Sequence, residues 1–182
     1  MRVIAGCYRG KKLLAADADI TRPTSDRAKE GLFNILTHHL KKQEKNWKDI
    51  IFCDVFSGSG SIGIEAVSRG TKSVFFFENN PLALKMIRLN TKDMDVKIIA
   101  KDACFPPKAF KSADIVFFDA PYGKGLWQKS LLAFKKNGWI DTQTLIIVET
   151  DKKITEQAPS DFVCTREQDY GRNLFLFLQA TE

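Results

Sequence analysis

Asp54-Val55-Phe56-Ser57-Gly58-Ser59-Gly60-Ser61-Ile62-Gly63 closes an apolar run that begins at Ile50. Three later apolar runs also end in a carboxylate, at Glu78, Asp102 and Asp119. Strands are expected at Ile50 to Phe56, Ser73 to Glu78, Val96 to Ala100, Asp114 to Asp119 and Leu145 to Glu149. Helical patterns alternate with them, the signature of βαβ units and a mostly parallel sheet. If each run is a parallel strand, the four acids line the carboxyl edge of one sheet, where open α/β folds bind their ligands.

The intervening helices are short. Ile62, Ile64, Ala66 and Val67 fit one that stops at Gly70, Asn80-Pro81 supplies an N-cap and first helical residue for the next, and Leu126 to Lys136 reads as a third. Phe162 to Gln168 and Asn173 to Gln179 are β-patterned runs joined by Asp169-Tyr170-Gly171-Arg172, which gives an antiparallel last strand. Ahead of the sheet, Arg2 to Gly6 and Tyr8 to Leu14 look like two short strands around a basic turn. A helix follows, capped by Thr24 or Ser25, with Ala28, Leu32, Ile35, Leu36 and Leu40 on its apolar face.

A chain of 182 residues that is 44% hydrophobic can bury one substantial core. The expected division is a basic hairpin-and-helix extension over 1–48 and a catalytic core over 49–182. The formal net charge is +6; residues 1–48 hold 11 Lys/Arg against 5 Asp/Glu, leaving 17 of each sign for the remainder. Positive charge confined to one end suggests a polyanionic partner, although a solvated basic surface accounts for it equally well.

Cys7, Cys53, Cys104 and Cys164 are too scattered for a zinc ribbon or redox pair and are expected to be reduced and mostly buried. His38 and His39 are adjacent, so on a helix they point apart, and no metal site is expected. No apolar stretch approaches the roughly 18 residues of a membrane span. A cytoplasmic protein with no membrane partner is the expectation.

Gly58-Ser59-Gly60-Ser61-Ile62-Gly63 fits the G-x-G-x-x-G template, with Glu78 about 20 residues downstream. The motif alone is ambiguous between a dinucleotide and S-adenosylmethionine. Asp54 beside the loop would repel a pyrophosphate, whereas a sulfonium and an α-amino group are cationic and are attracted by Asp54, Glu78 and Asp102. In this reading Gly58 and Gly60 allow close backbone approach, Glu78 takes the ribose hydroxyls with Asn79 beside it, Asp102 with Ala103 meets the adenine edge, and Phe56 flanks the site. Each acid could equally be a helix N-cap.

Asp119-Ala120-Pro121-Tyr122 bears on the reaction. An exocyclic amine on a nucleobase is a poor nucleophile because its lone pair is delocalised into the ring. The Asp119 carboxylate and the Ala120 carbonyl can each accept one N–H and aim the lone pair, Pro121 holds Ala120 extended, and Tyr122 can stack on the base. A plain strand-to-loop turn with a packed tyrosine is the bland alternative.

These features together resemble the bacterial small-subunit (16S) ribosomal RNA guanine-N2 methyltransferases. The resemblance rests on Arg2-Val3-Ile4-Ala5-Gly6, Arg9-Gly10-Lys11-Lys12-Leu13, Arg22-Pro23-Thr24-Ser25-Asp26-Arg27 with Lys29-Glu30, and Leu32-Phe33-Asn34-Ile35-Leu36 near the N-terminus. In the core it rests on the glycine loop, Gly63-Ile64-Glu65-Ala66, Ser68-Arg69-Gly70, Glu78-Asn79-Asn80 and Asn90.

It implies a class I methyltransferase Rossmann-like fold with a small N-terminal β-hairpin and helix, S-adenosylmethionine as cofactor, and 16S rRNA or the small ribosomal subunit as partner of a monomer. It also implies cofactor contacts from Arg22 and Thr24, and RNA contacts from Arg9, Lys11, Lys12 and Arg27. One departure stands out: where the family has Asp-Pro-Pro, position 120 is alanine. Rival readings are an N6-adenine methyltransferase on DNA or RNA, a non-catalytic RNA-binding assembly factor, and a nicotinamide oxidoreductase.

Overall fold

The computed structural model describes residues 1–15, 25–153, 156–171 and 173–182. Seven strands form one sheet: β1 (Ile51–Val55), β2 (Ser73–Glu78), β3 (Lys97–Ala100), β4 (Ile115–Phe118), β5 (Leu145–Asp151), β6 (Phe162–Tyr170) and β7 (Asn173–Ala180). Their order is β3-β2-β1-β4-β5-β7-β6. The pairs among β1 to β5 are all parallel, and β7 runs antiparallel to both β5 and β6. The expected mostly parallel sheet with an antiparallel last strand is therefore present, with β7 inserted between β5 and β6.

Central parallel strands are buried on both faces, which is why they read in the sequence as continuous apolar runs. On one face Phe52, Val74, Phe76, Phe117, Ile147 and Phe175 pack against α1 (Asp26–Lys42), α2 (Ser61–Ser68) and α3 (Pro81–Asn90). The other face, with Val55, Phe77, Val116, Phe118 and Val148, is covered by a single helix, α4 (Leu126–Lys136), together with Trp139 and the segment 101–113. Aromatic rings fill the thin layer there: Phe77 meets Phe134 edge-on at 4.8 Å and Trp139 at 5.0 Å.

The N-terminal segment forms the expected hairpin in minimal form. Arg2 and Lys12 make one antiparallel bridge, the Val3 and Leu13 N–H groups donate to the Lys11 and Met1 carbonyls at 3.0 and 3.1 Å, and the Gly10 N–H donates to the Val3 carbonyl at 2.9 Å. The hairpin is also pinned to α2: the N–H groups of Ile4 and Ala5 donate to the Glu65 carboxylate at 2.7 and 3.1 Å, and that of Cys7 to the Ser68 carbonyl at 2.8 Å. Gly6 lies so close to this helix that a Cβ would sit 1.8 Å from the Ser68 carbonyl oxygen.

Ser25 caps α1, its hydroxyl accepting from the Ala28 N–H at 3.2 Å. The helix ends at Lys42, and a 3-10 turn at Trp47–Asp49 leads into the sheet. Of the four cysteines only Cys53 is buried; Cys7 and Cys164 are exposed, a correction to the expectation that most were enclosed. Among the described residues no helix is long and apolar enough to cross a membrane, and no group of three His, Cys, Asp or Glu is placed to hold a metal ion.

Candidate active site

The strand order reverses between β1 and β4, and a crevice at the carboxyl edge opens at such a switch point. Asp54 is the fourth residue of β1, in register with Phe76 of β2 and Phe117 of β4. Asp119 lies one residue beyond β4, its N–H still bonded to the Val55 carbonyl at 3.1 Å. The fold thus brings both acids to the switch point from different segments of the sequence.

Between them runs the glycine loop. Gly58 and Gly60 have φ of +55° and +81°, and the Ser57 hydroxyl donates to the carbonyls of Asp54 and Phe77 at 2.9 and 3.0 Å, tying the loop to both strands. Phe56 enters it with φ of +61°, a left-handed conformation that costs a non-glycine residue about 1 to 2 kcal/mol. Its ring is half-buried against the α4 side of the sheet.

Asp54 is 2% exposed, and its Oδ2 accepts the Gly63 N–H at 2.8 Å, in the first turn of α2. It therefore does bind a helix N-terminus, the bland role weighed for it. A second property goes beyond that role. Burial pushes its carboxyl well above the usual range, the Gly63 hydrogen bond opposes this, and the nearby charges of Asp119 and Glu78 push it further up. Burial likewise lifts Asp119 to about 7. Among the described residues no cation is among the groups acting on either carboxylate. Crowded carboxylates of this kind favour a cation brought from outside.

Glu78 reaches across to the loop, its Oε2 accepting the Gly58 N–H at 2.8 Å while Oε1 accepts those of Asn79 and Asn80 at 2.8 and 2.9 Å. The helix cap proper is Asn80, which accepts from Leu82 and Ala83, so Glu78 orients the loop and is not a cap. Asp102 lies on the exposed rim, Oδ1 bonded to the Cys104 N–H at 2.8 Å, and Ala103 is buried beside it. Asn79 is exposed. Ala120 is buried, Pro121 is exposed and Tyr122 is 40% exposed. Arg22 and Thr24 lie outside the described residues.

The third glycine of the motif is set by packing. A Cβ on Gly63 would stand 2.3 Å from Phe76 Cε1 and 3.1 Å from Asp54 Oδ2. Gly63→Ala is expected to cost about 2 kcal/mol, read from the urea midpoint, because the core ring and the Asp54 carboxylate must both yield.

A cavity of about 540 Å³ opens between the start of α1 and the β6–β7 turn, lined by Ser25, Arg27, Ala28, Gln168, Asp169, Tyr170 and Gly171. The turn is at the carboxyl edge, because Asp151 at the end of β5 pairs with Asn173. Arg27 is exposed on this cavity, as are Arg9 and Lys12 on the N-terminal segment, while the Lys11 ammonium sits 5.5 Å over the Tyr8 ring. Two charged groups escaped the sequence reading. Lys29 is fully buried, its Nζ donating to the Arg2 carbonyl at 2.6 Å and the Ser61 hydroxyl at 3.1 Å; burial first of all lowers its pKa, with Glu65 opposing. Glu65, also fully buried, pairs with Arg69 at 2.9 Å. The available signal was a lone acid in the otherwise apolar run Ile62-Gly63-Ile64-Glu65-Ala66-Val67.

A family model described as Conserved hypothetical protein 95 matches residues 1–179. The chain is 31% identical to ribosomal RNA small subunit methyltransferase D of Haemophilus influenzae over 94% of its own length and 89% of the relative's. It is 28% identical to the protein of the same name from Escherichia coli, over 98% of this chain and 89% of that one. An Escherichia coli structure provisionally described as methyltransferase yhhF superposes with a TM-score of 0.81 at 26% identity, covering 100% of this chain and 98% of the other.

Proposed function

Because the chain belongs to the Conserved hypothetical protein 95 family and is by family and fold a methyltransferase, we propose that it methylates the exocyclic N2 amine of a guanine in 16S rRNA, using S-adenosylmethionine. The observation that carries this reading is the pair of carboxylates at the switch point, buried Asp54 and half-buried Asp119, with no cation acting on them among the described residues. Their sign suits a sulfonium and disfavours a pyrophosphate neighbour. The names of the relatives supply the substrate class.

In this reading Asp54, Phe56, Gly58, Gly60, Glu78, Asn79, Asp102 and Ala103 hold the cofactor, with Arg22 and Thr24 assigned to it by resemblance. When bound, S-adenosylmethionine supplies an electrophilic methyl group. The Asp119 carboxylate and the Ala120 carbonyl accept the two N–H groups of the amine and hold its lone pair in line. Tyr122 stacks on the base, and Pro121 keeps the Ala120 carbonyl outward. The proton that the amine loses can rest on Asp119, whose pKa of about 7 matches a base working near neutrality. Arg9, Lys11, Lys12 and Arg27 contribute phosphate contacts, and the cavity beside Arg27 offers room for flanking nucleotides. The protein works as a monomer in the cytoplasm and without a metal.

The test is to incubate the protein with methyl-labelled S-adenosylmethionine and small ribosomal subunits lacking the modification, alongside naked rRNA and DNA, then identify labelled nucleosides. N2-methylguanosine is expected; N6-methyladenine or an absence of product rejects the assignment. Ala120→Pro is expected to keep or raise turnover, since the backbone acceptor survives and one φ angle becomes fixed. A large fall in steady-state rate shows that the carbonyl is misplaced.

A further inference from the structure

Segment 101–113 joins β3 to β4 without a helix, and its residues are sorted in reverse of the usual pattern. Ala103, Pro106 and Ala113 face inward, whereas Phe105 and Phe110 are 77% and 100% exposed. Lys101, Lys108 and Lys111 are exposed with them. Single exposed apolar residues are ordinary. Two phenylalanines held outward among three lysines on one short segment are a different matter, because the segment has an internal turn and is tied to residues 137–139 at three points. The Phe105 N–H donates to the Asp102 carbonyl at 2.9 Å, the Trp139 indole to the Pro107 carbonyl at 2.7 Å, and the N–H groups of Ala109 and Ala113 to the carbonyls of Asn137 and Trp139 at 2.8 and 2.9 Å.

The anchoring keeps the rings from folding back onto the core, so little further ordering is required when a flat partner arrives. The electrostatics select the partner's class. Of the two acids at the ends of the segment, Asp114 is occupied by Lys45 and the Ile51 N–H, and Asp102 is turned to the Cys104 N–H. Beyond Asp102 at its start, what the segment turns outward is cationic and aromatic, the combination that tracks an unpaired nucleic acid strand: lysines on phosphates, rings on base faces.

We infer that Phe105 and Phe110, with Lys101, Lys108 and Lys111, form a stacking platform for single-stranded RNA next to the nucleotide being modified. The inference rests on the proposed RNA substrate and adds to it a second contact surface, on the α4 side of the sheet and away from the basic N-terminal segment. Its first residues, Asp102 and Ala103, border the proposed cofactor pocket, so RNA bound here continues into the site. Base-paired RNA is a poor occupant because its base faces are already stacked.

The test uses the full chain, a labelled unstructured RNA of about 12 nucleotides and a duplex of similar length. F105A/F110A is expected to weaken single-strand binding by about tenfold or more at every salt concentration, with the melting temperature unchanged and duplex affinity and the dissociation constant for S-adenosylhomocysteine within about twofold. K108E/K111E is expected to reduce the slope of log affinity against log salt by about 1.4. Unchanged single-strand affinity in F105A/F110A overturns the platform. So does a wild-type dimer that F110A dissociates, which makes the patch a contact between copies. If wild type methylates subunits while the variants bind RNA normally, the platform alone falls. If the variants lose single-strand affinity but wild type transfers no methyl group, the platform stands and the proposed activity falls.

Discussion

Asp119→Ala is expected to lower the turnover of methyl transfer by about 10² to 10³, the range seen when a preorganised polar group is removed from a reacting centre. Affinity for S-adenosylhomocysteine, which has no charge at sulfur, is expected to stay within about threefold by calorimetry. Normal methylation by the variant assigns Asp119 to structure alone. The same residue carries a stability signature of opposite sign. Its folded pKa of about 7 lies above the ordinary 3.8, so the folded state binds more protons between these values and stability falls as pH rises through that window. The penalty is complete above about pH 7.

Asp119→Asn removes the ionisation. At pH 8 it is expected to gain roughly 2 kcal/mol, a figure discounted from the full shift because Asp119 keeps some exposure, and the gain shrinks toward zero near pH 4. Melting temperatures across that range read it directly, and a constant difference between variant and wild type refutes the assignment. An inactive variant that is more stable than its parent is what a site strained for function predicts. In the wild type, kcat/KM is expected to rise with pH through about 7, as the carboxylate becomes able to accept an N–H.

Glu65→Ala is expected to be the most damaging substitution for the fold. The carboxylate receives the Ile4 and Ala5 N–H groups and the Arg69 guanidinium, and it opposes the burial of the Lys29 ammonium. Removing it strands two backbone donors and leaves buried positive charge without its partner, a change that costs about 3 to 5 kcal/mol. For a chain of this size the melting temperature falls by roughly 6 to 20 °C. Glu65→Gln keeps an acceptor and is expected to cost about half as much. Hydrogen exchange gives a local check: the Ile4, Ala5 and Cys7 amides are expected to exchange faster in Glu65→Ala at temperatures where the β1 amides remain protected. Uniform loss of protection shows that Glu65 supports the whole domain and not its N-terminal segment in particular.

The sheet was legible because its strands are enclosed on both faces and thus apolar without alternation; Leu126 to Lys136 was read with the bounds the helix has. Asp54, Glu78 and Asp119 were legible because each stands where an apolar run stops. Less visible was what depends on contacts distant in sequence. The N-terminal hairpin could be read from its β pattern, but its attachment to Glu65, some 60 residues away, could not. The burial of Lys29 under the Arg2 carbonyl has no signal in the apolar pattern of its helix. The left-handed turn at Phe56 has no local signal, since nothing in Val-Phe-Ser announces it. Asp102 was grouped with the inner acids by sequence position, but β3 ends at the sheet's rim and leaves it in solvent.

The position of β7 also bears on how the protein comes to be folded. It follows β6 in the chain but lies between β5 and β6, so β6 has no neighbour to pair with until β7 has been synthesised. The order of synthesis and the order of sheet growth therefore differ. On a translating ribosome the parallel half can assemble as it emerges, while β5 keeps an unpaired edge and β6 waits unpaired, the kind of intermediate that exposes strands to aggregation. Completion comes in one late step when β7 docks against both, and the buried Glu149, which receives the Asn173 amide of β7 at 2.6 Å, acquires that partner only then.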